Sequence, residues 1–546
     1  MTQPATSPCD DLTGEDAVAC SESARRWTLV AAVVGSGMAF VDGTIVNVAL
    51  PAIQRAMNAT TADAQWVMES YALLLSALLL VGGVLGDHYG RRRVFVIGAV
   101  VFTLASLGCA ASGTITWLIG MRALQGFGAA LLIPGSLSLI SSAYPKERRG
   151  AAIGTWSAFS GITAAIGPVL GGFLVEHASW HWAFLVNLPL GVLLVAICFW
   201  RVPESKGMNA GHIDIVGAVL ATIGLAGVVY AFIEAPLHGW LAPGVIASAL
   251  IGIVALTIFV IVEMRITAPM LPLGLFRDRD FAGANLLTLL LYASLGGSMF
   301  FVPLNLIQVQ GYGATGAGAS FLPFIAIMFL LSRWTGRLVD VVGARLPLIV
   351  GPTIAGLGFA LYALPGVGGS YWTTFFPAAC VLGLGMSITI APLTTTVMNA
   401  LNPALAGTAS GVNNAVSRVA GLLAIAVFGI VLTQGFDAAL RGGLASGIPA
   451  DVVQSVMAQK AKLAGIQVTN EAARHAIDAA FVAGFRRVMW LSAGLAVLSA
   501  IAAGLMIRPT QKRPVRNLSA PAPRRACRAS RRQGTGAHPP DATHQR

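Results

Sequence analysis

Scattered through an otherwise apolar chain are a few residues whose types could do chemistry. Asp42 stands late in the first apolar run. An isolated carboxylate in low dielectric shifts toward its neutral form, so it can take a proton from one side and release it when its cavity faces the other. Asp42 is therefore the leading proton-coupling candidate, with permanent pairing to Arg122 or to a backbone donor as the alternative. As an isolated group it predicts that Asp42→Asn abolishes uphill transport while folding stays nearly intact. Arg122, in the fourth apolar run, can modulate that proton site, bind substrate or merely pair helices. Glu69 lies one turn into the second run beside Trp66 and Tyr71, and Glu234 closes the seventh. Glu69 joins the proton-coupling candidates, although for both glutamates contact with the outer headgroups is the favoured reading.

Polar side chains inside other runs are substrate-cavity candidates: Asn47, Trp66, Tyr71, Gln125, Asn413, Asn414 and Arg418. Arg418 has a snorkelling or structural role as an equal alternative. The loop from Gly83 to Arg93 combines Gly83, Asp87, Gly90, Arg91 and Arg92. Gly83 admits a neighbouring helix, Asp87 can pair with bases or a helix N-terminus, and Gly90 turns the chain. The pattern recurs in weakened form from Gly336 through Asp340 and Gly343 to Arg345, a second gating candidate. In the fifth run, Gly161, Gly167, Pro168, Gly171 and Gly172 join a proline that removes a backbone hydrogen bond to glycines that permit close packing and bending.

These residues must be held by membrane-spanning helices. Of 546 residues, 56% are hydrophobic and 11% charged, and the mean hydropathy is +0.75, which excludes an ordinary soluble enzyme. Apolar runs lie near 28–50, 64–86, 94–112, 116–142, 150–175, 181–200, 213–233, 242–262, 281–306, 316–339, 346–364, 372–398, 406–434 and 481–506. At roughly 20 residues per crossing these predict fourteen spans. With the N-terminus inside, fifteen bases fall in inward short loops and five in outward ones, which predicts that both termini are cytoplasmic. The repeat joins two spans of like orientation, so it predicts two six-helix bundles, 28–200 and 281–506, related by an axis along the membrane normal. Two extra central spans, inserted between the halves and expected to pack peripherally, sit within 201–280. Segment 435–480 reads as one or two short amphipathic helices on the outer face.

The net charge of +12 is concentrated in the segment 507–546, where ten Lys or Arg face only Asp541. Its Pro and Ala content and lack of aromatics predict a disordered basic tail near anionic lipid headgroups rather than a nucleic-acid binder. Residues 1–27 read as a disordered acidic tail. The six cysteines form no CxxC pair, and no secretory signal is evident.

Several of these stretches resemble known patterns. The Gly83–Arg93 loop resembles the loop between spans 2 and 3 of the major facilitator superfamily, with His88 where that pattern usually has a base. Gly161 to Gly172 resembles the antiporter motif of its exporting families. Asp42-Gly-Thr-Ile-Val-Asn47-Val-Ala-Leu-Pro51 resembles the first-span signature of the fourteen-helix drug:proton antiporter family, the QacA/EmrB type. Arg122-Ala-Leu-Gln125-Gly-Phe-Gly128 and the stretch Trp180 to Gly191 are similar to further patterns of that group. The resemblance implies an all-α polytopic membrane protein of the major facilitator fold, in the plasma membrane, exporting amphipathic drugs, antibiotics or metabolites in exchange for protons.

No phosphate loop, HExxH or paired intramembrane acids occur, so ATP hydrolysis and metalloenzyme chemistry are not expected in this chain. The expected coupling ion is the proton, with no cofactor and no metal. Proton-linked uptake is the nearest alternative, followed by a sensor on the same fold. The expected partners are a small-molecule substrate and the lipid bilayer, without nucleic acid; the sequence does not settle whether a periplasmic adaptor is recruited. Spans 9–14 hold no acid in their membrane interior, while Arg122 and Arg418 oppose Asp42. The charge balance therefore predicts preference for neutral or weakly anionic compounds over cations.

Overall fold

A helix crossing a bilayer satisfies its backbone N–H and C=O groups internally, because lipid offers no partner. In the computed structural model, which describes residues 21–206, 214–266, 269, 271–401, 406–444 and 448–509, all fourteen apolar runs are such helices. The first six are α1 (Glu22–Met57), α2 (Thr61–Tyr89), α3 (Arg91–Ala110), α4 (Ile115–Ala143), α5 (Lys146–His177) and α6 (Trp182–Arg201). Then come α7 (Ile215–His238) and α8 (Pro243–Arg265). The last six are α9 (Arg279–Val309), α10 (Ala314–Ala319 and Leu322–Val342), α11 (Arg345–Tyr362), α12 (Phe375–Asn399), α13 (Ala406–Leu444) and α14 (Glu471–Met506). Residues 22–27, expected in the disordered N-terminal tail, instead form the first turns of α1, capped by Ser21 and carrying the Glu22–Arg26 pair; the rest of both tails, 1–20 and 510–546, with the roles expected for them, lies outside the described residues.

Capping sets several ends. Thr60 and Asp63 form a reciprocal capping box at the start of α2, and Asn470 accepts from the Ala473 N–H at the start of α14. Segment 435–480 contains a short helix, as expected, and both of its ends belong to the neighbouring spans. α13 extends to Leu444 and α14 begins at Glu471, leaving one short helix, Ala450–Ala458, and a 3-10 turn, Lys460–Gly465.

Packing follows the repeat. Within the first half, α2 and α3 pack on α4, α1 on α4 and α5, and α3 on α6. Within the second, α11 packs on α12 and α14, α10 on α12, and α9 on α13 and α14. The backbone turns through positive φ at Gly90 (114°) and Gly343 (79°), directly after α2 and α10, so the two loop copies share a conformation that favours glycine. The inserted pair is peripheral only in α8. Helix α7 fills the seam between the halves, with Leu225, Val229 and Ile233 buried against Ala62 and Leu73 of α2 and Leu422 and Ala426 of α13.

The two ends of that seam differ. At the end away from Arg91–Arg93, Gln308 donates to Gln54 (2.9 Å), Gln65 donates to the Ile425 carbonyl (2.9 Å) and the Thr315 N–H donates to Glu176 (2.8 Å). Toward the basic end, an apolar cavity of about 450 Å³ lies between α2, α7, α8, α9 and α13, with Leu80, Phe259, Leu289 and Val416 among its walls.

Candidate functional site

Asp42 shares one buried face of α1 with Met38, Ile45 and Ala49, three to seven residues away, as helical periodicity requires. That face meets α4, where Arg122 and Gln125 are three residues apart and so project together. Arg122 Nη1 lies 2.5 Å from Asp42 Oδ2, and both side chains are fully buried. Gln125 Nε2 donates to Asp42 Oδ1 (2.7 Å), and Asn187 Nδ2, at the start of the long segment of α6, donates to the same oxygen (3.1 Å). Ser106 of α3 accepts from both amides, at 2.7 and 3.2 Å. Four helices thus converge on one carboxylate.

Arg122 is held from other sides as well. Its Nε donates to the Val67 carbonyl (3.0 Å), Nη1 donates to Gln125 Oε1 (2.7 Å), and the guanidinium sits 4.3 Å from the centre of the Tyr71 ring. The Tyr71 hydroxyl donates to the Ala39 carbonyl, which fixes the ring over the arginine. The isolated carboxylate expected from sequence is therefore replaced by a desolvated ion pair inside a hydrogen-bond network. Gln125 and Tyr71, expected to line a substrate cavity, belong to this network, with Gln125 fully buried. Sequence reasoning did not place Ser106 and Asn187 in the site. Asn187 occurs in the Asn-x-Pro-x-Gly stretch, but only the packing of α6 on α1 and α3 reveals what it touches.

The other candidates separate. Asn47 has a buried Oδ1 without a hydrogen-bond partner. Trp66 does not line the site described above; its Nε1 donates to Glu234 Oε1 of α7 (2.9 Å), and its ring lies 6.0 Å from that of Tyr230. Asn413 ties α13 to α9 by donating to Asn285 Oδ1 and Thr288 Oγ1, whereas Asn414 is exposed. Arg418 has a buried Nε with no hydrogen-bond partner and is close enough to Tyr71 to interact electrostatically. Headgroup contact is wrong for Glu69, which is fully buried among helices, and Glu234 is occupied by Trp66 and, at 3.3 Å, by His238.

In the basic loop, Asp87 pairs with Arg91 at 2.7 Å, one turn on. The anchor that sequence reasoning missed is Glu204, after α6. Its carboxylate accepts from the Arg92 and Arg93 N–H groups (2.9 and 3.2 Å), satisfying orphan donors at the start of α3. The Arg91 N–H donates to the Ser205 carbonyl beside it. The Asp340 side chain lies outside the described residues.

The glycine-proline motif faces two partners. Side chains at Gly167 and Gly171 would collide with Thr44 and Ile45 of α1, and one at Gly172 would meet the Ala314 carbonyl of α10. Gly318 of α10 in turn lies against the Pro168 carbonyl. The motif thus presses α5 onto both halves at the end away from the basic loop, and the helix continues through Pro168. Gly161 has no neighbour within 4 Å, so it takes no part in that contact.

Comparison with known proteins agrees with this architecture. The chain is 35% identical over 433 residues to multidrug resistance protein Stp of Mycobacterium tuberculosis, covering 79% of this chain and 80% of that one. It is 34% identical to puromycin resistance protein pur8 of Streptomyces alboniger, covering 75% and 82%, and 31% identical to the tetracenomycin C resistance and export protein of Streptomyces glaucescens, covering 75% and 76%. A bacterial homologue of the human lysosomal transporter Spinster, solved in an inward-facing state, shares the fold with a TM-score of 0.63 at 16% identity, over 89% of this chain and 98% of that one. The family model of the Major Facilitator Superfamily matches residues 32–425, and with these relatives it establishes that the chain belongs to that superfamily.

Proposed function

We propose that the protein exports amphipathic small molecules across the plasma membrane in exchange for protons, by alternating access. The resistance and export relatives support efflux of such compounds. The observation that carries the coupling mechanism is the Asp42–Arg122 pair at the junction of α1, α3, α4 and α6. A proton arriving at Asp42 cancels the carboxylate charge, frees Arg122 Nη1 and weakens the tie between α1 and α4. Loss of the proton restores that tie, so protonation favours one arrangement of the helices and deprotonation the other.

The positive-inside distribution supports a cytoplasmic location for the basic loop and both termini. The closed end of the seam is then external and the described conformation faces inward. Closure of the far end uses α5 against α10, and opening there separates Gly172 from Ala314 and Glu176 from Thr315. The basic loop, anchored on Glu204, moves with α2, α3 and the linker after α6. Asn414 and Arg418 offer polar groups of the second half to a substrate. With Asp42 balanced by Arg122, Arg418 is the remaining charge offered to a substrate by these side chains, which favours neutral or weakly anionic compounds.

One proton moving down a membrane potential supplies about 2.3 kcal/mol per 100 mV, enough for roughly a fifty-fold gradient of a neutral solute. The test is export into inverted vesicles energised by a pH gradient. Asp42→Asn should abolish accumulation against a gradient; accumulation that persists in this variant, or in the parent chain after the gradient is collapsed, overturns the reading.

A further inference from the structure

Glu69 is the one fully buried acid of α2, and the ion-pair mechanism leaves it unused. It occupies the middle of the α2 face that carries Ala62, Gln65, Trp66, Leu73 and Ser76, all within 60° of it at 100° per residue. That face meets two helices at once. Gln65, one turn toward the closed end, donates to the Ile425 carbonyl of α13, and Trp66 donates to Glu234 of α7. Leu73, one turn the other way, packs in the cluster that contains Leu225 and Val229 of α7 and Leu422 and Ala426 of α13. Glu69 therefore sits directly beneath the contact that closes the seam, and neither of its carboxylate oxygens has a hydrogen-bond partner.

The charged and titratable groups facing this junction are Asp63 and Tyr71 on α2, Tyr230, Glu234 and His238 on α7, and Arg418 on α13; the turn Lys460–Gly465, which also packs on α2 and α13, adds Lys460, paired with Asp437, and Lys462, bonded to Asn58. Asp63 is used by the Thr60 cap, Tyr71 by Ala39 and Arg122, and Glu234 by Trp66 and His238. Tyr230 lies beside the Trp66 ring, and Arg418 interacts with Tyr71. None of them gives Glu69 a hydrogen bond. An ionised carboxylate sealed here would lose several kcal/mol of hydration with nothing in return, a loss the protonated acid avoids.

We propose that Glu69 is a second proton-binding site, acting as a latch on the external gate: α2, α7 and α13 close over it only when it carries a proton taken from outside. Return to the inward-facing state then requires proton uptake at the gate itself, and the inserted helix α7 has a reason to occupy the seam. The latch rests on the antiport reading and adds to Asp42 a site that controls closure.

The test uses the full chain in right-side-out vesicles with Ala62→Cys, a buried position in the same junction, as reporter. Labelling by a membrane-impermeant maleimide, above that of the parent chain and divided at each pH by the rate for a free thiol, whose reactive thiolate itself grows about tenfold per pH unit, reports opening of the gate. Lower external pH protonates Glu69 and favours closure. Labelling should therefore rise with external pH, by up to roughly tenfold per unit for one obligatory proton. Glu69→Gln, which imitates the neutral acid, and Glu69→Ala should hold labelling low and flat, while Glu69→Asp keeps a pH response. A parent-like pH profile in Glu69→Gln or Glu69→Ala overturns the latch; the antiport reading stands or falls separately, on gradient-driven export.

Discussion

Asp42→Asn, the variant expected from sequence to fold almost normally, should instead be measurably unstable. The asparagine keeps an oxygen for Gln125 and Asn187 but offers Arg122 Nη1 no carboxylate, so the guanidinium loses its 2.5 Å partner while fully buried. Breaking one side of a buried ion pair costs about 3–5 kcal/mol, because a charge is left uncompensated. Arg122 retains the Val67 carbonyl, Gln125 Oε1 and the Tyr71 ring, which places the loss near the lower end, about 3 kcal/mol. Arg122→Gln should cost a similar amount by stranding Asp42. The double variant, Asp42→Asn with Arg122→Gln, should recover about 2 kcal/mol of the summed loss, because neither charge then lacks a partner. Thermal unfolding of the four purified proteins in lipid nanodiscs measures the cycle, and vesicle export is measured alongside. The double variant should regain stability without regaining uphill export. Additive losses would mean that the ion pair does not form, and uphill export by the double variant would mean that Asp42 does not carry the coupling proton.

Other consequences concern gating, anchoring and substrate choice. Gly172→Leu drives a side chain into the Ala314 carbonyl and should reduce turnover on the order of tenfold at normal expression, at an overpacking cost of about 1–3 kcal/mol. Gly161→Leu, with nothing within 4 Å, should transport like the parent; equal effects of the two substitutions in vesicle turnover would contradict the α5–α10 closure. Glu204→Ala strands two N–H groups at the start of α3 and should lower stability by about 0.5–2 kcal/mol, read as a fall in Tm, with Glu204→Gln falling less. In a pump-deficient host, neutral or weakly anionic toxicants should show greater Asp42-dependent protection than quaternary ammonium dyes; the opposite ranking would refute the charge argument.

The fourteen helices were legible because each crossing demands its own apolar run, and the two-half architecture was legible because Gly90 and Gly343 mark equivalent turns. The burial of Glu69 and the partners of Trp66, Gln125 and Asn413 were not. In a soluble helix, polar residues mark the face that meets water, but here the lipid-facing surface is as apolar as the packed one. Leu104, Val192 and Leu241 are exposed while Leu118, Leu194 and Leu225 are buried, and nothing in residue type separates the two sets. Rotation of each helix about its axis is therefore set by partners elsewhere in the chain: Asp42 and Arg122 are 80 positions apart, Gln65 and Ile425 are 360. Glu204 was overlooked for a different reason. It lies in a linker beside Arg201 and Lys206, where an acid reads as ordinary charge balance until the start of α3 is seen to end on it.

The placement of ionisable groups divides the labour between the halves. The first half holds the buried acids Asp42 and Glu69, while the membrane interior of the second half contributes Arg418 and amides such as Asn413 and Asn285. A rocking motion about the central seam moves the seam contacts without requiring every buried polar group to be rebuilt. The Asp42 network lies wholly within the first half, so the hydrogen bonds that its titration would make or break are internal to that bundle. Glu69 lies on the seam itself, where the same motion changes what covers it. On the antiport and latch proposals, a proton at Asp42 would act inside one bundle and a proton at Glu69 on the contact between bundles. Coupling that uses both would make each half of the transport cycle conditional on a titration, and α7, wedged against α2 and α13, is the element through which the inserted pair would enter it.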